Sequence, residues 1–122
     1  LSHLKILKVL IWFKSIFATN LFGIILLILS DNIKRIIPDK LSANIKLDQI
    51  KTSKIFNWLK YNGISEKEML KTFNCGVGFC LIVKRENIKK IQAHFKKDFI
   101  PYEIGFISNS KKRLNLINRV KW

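Results

Sequence analysis

Thr72-Phe73-Asn74-Cys75-Gly76-Val77-Gly78 sets compact polar side chains beside two closely spaced glycines, directly ahead of the strand-like apolar run 79–83. Glycine has no Cβ, so Gly76 and Gly78 let backbone amides come close to a phosphate or a ring and permit positive φ where a turn needs it. Thr72, Asn74 and Cys75 add short hydrogen-bonding side chains at the same junction, more than a structural turn requires. The plainer reading of the same residues is a tight turn between a helix and a buried strand.

The flanking sequence shows what the junction connects. Ser65-Glu66-Lys67-Glu68 has the form of a capping box, in which Ser65 accepts from the Glu68 amide while the Glu68 carboxylate reaches back. A helix should therefore carry Met69 and Leu70 toward Phe73. Before it, residues 53–61 place Ile55, Phe56, Trp58 and Leu59 at helical spacing, and Asn62-Gly63 stops that helix. Phe56, Trp58 and Phe73 read as core rather than as a stacking surface for nucleic acid, since aromatics at helical spacing mostly pack inward.

Residues 42–47 alternate as a half-buried strand does, and residues 79–83 read as a buried strand. Residues 86–95 carry Ile88, Ile91 and Phe95 on one helical face. Residues 102–107 and 114–120 read as strands separated by a polar turn over 108–112. The elements predict an α+β fold, a mixed or antiparallel sheet with packed helices. With 122 residues, one folding unit is expected.

The first residues stand apart, because from Val9 to Leu29 only Lys14 is charged. About twenty apolar residues suffice to span a bilayer, so one reading is a small basic membrane-associated binding protein anchored by residues 9–29. Lys14, Asn20 and Gly23 inside the stretch, and cations on both flanks, argue against it. Ala18-Thr19-Asn20 makes a poor signal-peptide cleavage site. The competing reading is a buried helix, with Leu4, Leu7, Lys8, Ile11 and Ser15 at partial helical spacing, followed by a central strand over 24–29.

The net charge of +15 is mostly lysine scattered from Lys5 to Lys121, with doublets at Lys89-Lys90, Lys96-Lys97 and Lys111-Lys112 but no dense basic arm. It reads as a solvated face, and nucleic acid is not an expected partner. Cys75 and Cys80 match neither a redox pair nor a repeated zinc spacing, and adjacent positions in one strand segment suit a disulfide poorly. A reducing cytosol fits them. Cys75 has no evident histidine partner for nucleophilic work, as the only histidines are His3 and His94, so a small lining residue is its expected role. His94 reads as a surface or structural histidine, not a metal ligand.

Glu68-Met69-Leu70-Lys71-Thr72-Phe73-Asn74-Cys75-Gly76-Val77-Gly78 closely resembles the signature near the C-terminus of aminoimidazole ribonucleotide synthetase, the phosphoribosylformylglycinamidine cyclo-ligase of purine biosynthesis. Other segments match in order. Leu29-Ser30-Asp31-Asn32-Ile33-Lys34-Arg35-Ile36-Ile37-Pro38 is similar to a family helix opened by a leucine, a polar pair and an asparagine and closed by proline. Ile55-Phe56-Asn57-Trp58-Leu59 resembles its Val/Ile-Phe-x-Trp-Leu helix, and Tyr102-Glu103-Ile104-Gly105 its late x-x-Ile-Gly strand. The resemblance runs from about Leu29 to about Ile117 and divides the chain into a divergent apolar region, 1–28, and a synthetase-like C-terminal domain, 29–122.

The resemblance implies substrate contacts at Thr72, Asn74, Cys75, Gly76 and Gly78, with Asn32 as a further polar contact, and no metal ligand. It identifies no catalytic acid or base. Family members use ATP and Mg2+ to activate the amide oxygen of formylglycinamidine ribonucleotide, after which an amidine nitrogen closes the ring. Their ATP-binding N-terminal domain, which also makes most of the homodimer interface, has no counterpart in these residues. The chain is therefore expected to be a detached or truncated domain, inactive alone, holding neither ATP nor Mg2+ tightly, and cytoplasmic. One departure stands out: family members carry Thr-Gly-Gly-Gly where this chain has Ile25-Leu26-Leu27-Ile28, which removes a close backbone approach to ligand.

Overall fold

A computed structural model describes residues 4–9 and 29–122. Among the described residues five strands form one mixed sheet in the order β3-β1-β4-β2-β5. They are β1 (Leu4–Val9), β2 (Leu41–Lys46), β3 (Phe79–Lys84), β4 (Tyr102–Asn109) and β5 (Leu114–Ile117). β1 lies antiparallel between β3 and β4, β4 is antiparallel to β2, and β2 runs parallel to β5. Helices α1 (Leu29–Ile36), α2 (Lys54–Tyr61), α3 (Glu66–Thr72) and α4 (Ile88–Gln92) connect the strands, so the fold is α+β as expected.

One apolar core joins the sheet to the helices. Ile6, Ala43, Ile45, Ile107 and Leu114 from the strands meet Ile33 and Ile37 at α1, with Val77 of the signature joining them. Each such isoleucine, leucine or valine contributes about 1.5–3 kcal/mol when fully buried. Gly105 is required where β4 crosses β2, because a Cβ there would lie 2.1 Å from the Asn44 carbonyl oxygen. That is a physical reason for the glycine of the x-x-Ile-Gly strand.

Several expectations change. Leu4–Val9 is a strand, not the start of a helix. The partial helical spacing was carried by few residues, and pairing on both sides outweighs so weak a local pattern. Of the stretch read as a bilayer span, Val9 ends β1, and Leu29, expected to end a central strand over 24–29, instead opens α1; the residues between them, including the rest of that strand and Ile25 to Ile28, lie outside the described residues. Among the described residues no helix is long and apolar enough to cross a membrane.

Among the described residues β3 is an edge strand rather than a buried one, with Phe79 and Ile82 exposed. An apolar run does not distinguish a central strand from an edge. β2, expected to be half-buried, is covered on both faces. Asn44 is 7% exposed because its Nδ2 donates to Ser108 Oγ at 2.8 Å and its Oδ1 accepts from Asn115 Nδ2 at 3.3 Å. On that face Lys5 and Lys46 hold their ammonium groups 5.5 and 5.8 Å from the Phe106 ring centre, and Lys5 also pairs with Glu103. The last strand stops at Ile117, where Asn118 takes φ +61, and the helix expected over 86–95 is a 3-10 turn leading into the short α4.

Candidate functional site

α3 starts as the capping box requires on one side only. Ser65 Oγ accepts from the Glu68 amide at 3.2 Å, but Glu68 Oε1 accepts from Thr72 Oγ1 at 2.7 Å, one turn further along. Met69 is fully buried and fixes the helix to the body of the protein. The helix then hands over at Phe73, whose amide donates to the Met69 carbonyl at 2.9 Å before the backbone turns extended. Across this junction the Phe73 ring meets Phe56 of α2 at 6.1 Å between centres.

The turn that follows is held from within. Asn74 Oδ1 accepts from the Gly76 amide at 3.0 Å, and the Asn74 carbonyl accepts from the Val77 amide at 2.9 Å, so side chain and backbone brace the same bend. Both Cys75 and Gly76 take positive φ, +50 and +94. Glycine is needed at the second of them, since a Cβ on Gly76 would stand 3.0 Å from the Lys51 carbonyl oxygen as well as strain the backbone. Gly78, half-buried, leads into β3.

Cys75 sits in surroundings that disfavour its thiolate. Its side chain is fully buried and its thiol donates toward the carbonyls of Met69 and Phe73 at 3.6 and 3.8 Å. Burial, reinforced by the nearby charge of Glu66, pushes the thiol up to about 11, so the reactive thiolate is scarce at neutral pH. The Cys75 side chain packs the inside of the turn. Neither cysteine forms a disulfide.

The structure thus brings Thr72, Asn74, Cys75, Gly76 and Gly78 into one continuous bend, with Asn74 and Cys75 directed into the protein and Thr72 exposed. Asn32 is half-buried within α1, past the helix start where it was expected, and α1 packs against α3. A backbone with buried internal braces and an exposed outer surface can position a ligand through its peptide groups while its side chains hold the shape. A family model described as AIR synthase related protein, C-terminal domain, matches residues 29–115, most of the chain.

The chain belongs to the AIR synthase related family. The C-terminal domain of that family begins here at the first residue of α1 and ends within β5, so it contains α3 and the whole signature bend.

A second feature of this AIR synthase related domain was not read from the sequence. A cleft of about 490 Å³ opens between Lys51 and Tyr102 on one side and Gln92, Lys97, Asp98 and Pro101 on the other. The Lys51 amide donates to Tyr102 Oη at 2.9 Å, and the Lys51 ammonium lies 4.9 Å from the centre of the Tyr102 ring. Burial raises the Tyr102 phenol above its ordinary value, partly offset by that bond. Gln92 Nε2 donates to the Pro101 carbonyl at 2.8 Å and closes the floor. The Lys96-Lys97 doublet ahead of a proline was the available signal, but read as scattered charge it was passed over. The signature and the cleft meet at Lys51, whose carbonyl lies against Gly76 and whose amide bonds Tyr102.

Proposed function

We propose that this chain is the C-terminal domain of a phosphoribosylformylglycinamidine cyclo-ligase and forms one wall of its substrate cleft. The observation that carries the reading is the signature bend: its sequence closely resembles the cyclo-ligase signature, and its peptide groups are braced from inside by Asn74 and Cys75. In the complete enzyme ATP would transfer its γ-phosphoryl group to the amide oxygen of formylglycinamidine ribonucleotide. The amidine nitrogen would then attack the activated carbon, close the imidazole ring and expel phosphate, leaving ADP, phosphate and aminoimidazole ribonucleotide. Such chemistry gains most from positioning two reactants, the task to which a rigid wall is suited.

The described residues contain no group of three or more His, Cys, Asp or Glu side chains placed to hold a metal ion. They do not fit a Mg2+ site on their own. Mg2+ and ATP belong, in this proposal, to an ATP-binding domain that this domain joins in a homodimer. Two cysteines outside any disulfide suit a reducing compartment, so the cytoplasm is the proposed location.

The test is to fuse the chain to the ATP-binding domain of an active cyclo-ligase and follow aminoimidazole ribonucleotide by mass spectrometry. Product from the fusion, with none from either half, is the expected result. A fusion that is folded by circular dichroism and binds ATP, yet forms no product while the donor enzyme does, would remove the assignment.

A further inference from the structure

We propose that the cleft beside Tyr102 is a binding site for a small phosphate ester that carries hydroxyl or amine groups next to its phosphate. It rests on the cleft alone and does not require the proposed ring closure. The volume of about 490 Å³ lies in the range of small-molecule sites and is too small for a macromolecule.

Its chemistry selects an anion first. Lys51 and Lys97 both line the cleft against a single carboxylate, Asp98. Lys51 is not a free surface lysine in its backbone, since its amide is held by Tyr102 Oη and its carbonyl is packed against Gly76. Its ammonium is kept over the Tyr102 ring, at the wall of the cleft. Lys97 opens the 3-10 turn Lys97–Phe99 with φ +31, a conformation rarely taken by a lysine, and the turn sets Lys97 and Asp98 side by side at the cleft. Two cations in a partly enclosed space focus positive potential more strongly than the same charges spread over the surface.

Asp98 then narrows the class. A bare phosphate dianion is attracted by both lysines but repelled by this carboxylate, whereas an ester can aim its phosphate at the lysines and its hydroxyl or amine at Asp98. The Tyr102 ring, Ile100 and Pro101 give the carbon skeleton an apolar wall.

The experiment is an NMR titration of the full chain with glycerol phosphate, inorganic phosphate and sodium chloride at matched ionic strength. Glycerol phosphate should move the resonances of Lys51, Gln92, Lys97, Asp98 and Tyr102 saturably, and inorganic phosphate should do so more weakly. Lys51→Gln and Lys97→Gln should each weaken binding about tenfold, the loss of one charge-assisted hydrogen bond. Both lysines are exposed, so the variants should keep the parent spectrum elsewhere. Asp98→Asn should reduce the preference for the ester over phosphate. Shifts that sodium chloride reproduces, or that spread over Lys89, Lys90 and Lys111, would overturn the site, as would saturable binding unchanged in both lysine variants. An ester preference untouched in Asp98→Asn would overturn the assigned class.

Discussion

α2 and α3 follow one another in the chain, each about two turns long, each amphipathic by sequence, and they are used in opposite ways. α3 buries Met69 completely, is capped by Ser65, and is held by the C-terminal residues: Arg119 and the Trp122 indole N–H both reach Glu66 Oε2, at 3.2 and 3.3 Å. α2 has no fully buried residue, its leading Ser53 makes no side-chain capping bond, and Ile55, Trp58 and Tyr61 stand exposed along one side. The helix that carries the signature is anchored at its first turn and from below. Its neighbour lies on the surface, touching the signature through the Phe56–Phe73 contact. Rigidity is thus concentrated where the bend needs it.

The largest effect should come from the anchor. Met69→Ala removes a fully buried side chain and leaves a cavity under α3, for which about 2–5 kcal/mol of lost stability is expected, read by urea denaturation. A loss below about 1 kcal/mol would mean that α3 is no better anchored than α2.

Next is the pH dependence of the bend. The Cys75 thiol is raised from 9.0 to about 11 in the folded chain, first by burial and then by Glu66. A raised acid keeps its stabilising contribution below the unfolded value and loses it as pH climbs toward the folded one. Between pH 9 and 11 the wild type should therefore lose about 2–3 kcal/mol more than Cys75→Ser, which cannot titrate there. Parallel stability curves for the two proteins would show the thiol to be solvated.

Gly76→Ala should cost about 1–3 kcal/mol, since alanine must both adopt φ +94 and displace the Lys51 carbonyl. In a chain of this size that lowers the melting temperature by several degrees, on the order of 4–8 °C per kcal/mol. Capping gives a smaller and sharper contrast. Ser65→Ala should lose about 1 kcal/mol and Ser53→Ala much less, because only Ser65 accepts a helix amide. Equal losses at the two serines would erase the difference between the helix starts.

Much of this was legible. The capping serine, the stop at Asn62-Gly63 and the bend at Asn74 to Gly76 all depend on contacts within a few residues, and such contacts are written locally. What was not legible depends on distant partners. Leu4–Val9 becomes a strand because β3 and β4 flank it, and Phe79–Lys84 becomes an edge because nothing among the described residues pairs on its far side. The cleft joins Lys51 to Tyr102, Gln92 to Pro101, across separations that no motif records. Glu68 shows the limit within a motif: its side chain had two local partners available, and Thr72 took it in place of the Ser65 amide.

Trp58 gives the smallest expected effect and the strictest check on the comparison. Its sequence position, in a Phe-x-Trp-Leu helix, led to a core reading, yet it is 59% exposed and Tyr61 beside it is 76% exposed. A side chain already in water in the folded chain has little transfer free energy to lose, so Trp58→Ser should change stability by less than about 0.5 kcal/mol. The measurement is the urea midpoint at two protein concentrations. A loss of about 2 kcal/mol at both would mean that the outer face of α2 is packed within the monomer, and the contrast with α3 would fail. A loss that grows with concentration would instead show the stripe of Ile55, Trp58 and Tyr61 covered by a second copy, since only association makes stability depend on protein concentration. An unchanged midpoint at both concentrations leaves α2 as the structure has it: a helix attached through Phe56 and Leu59, with its largest side chain facing solvent.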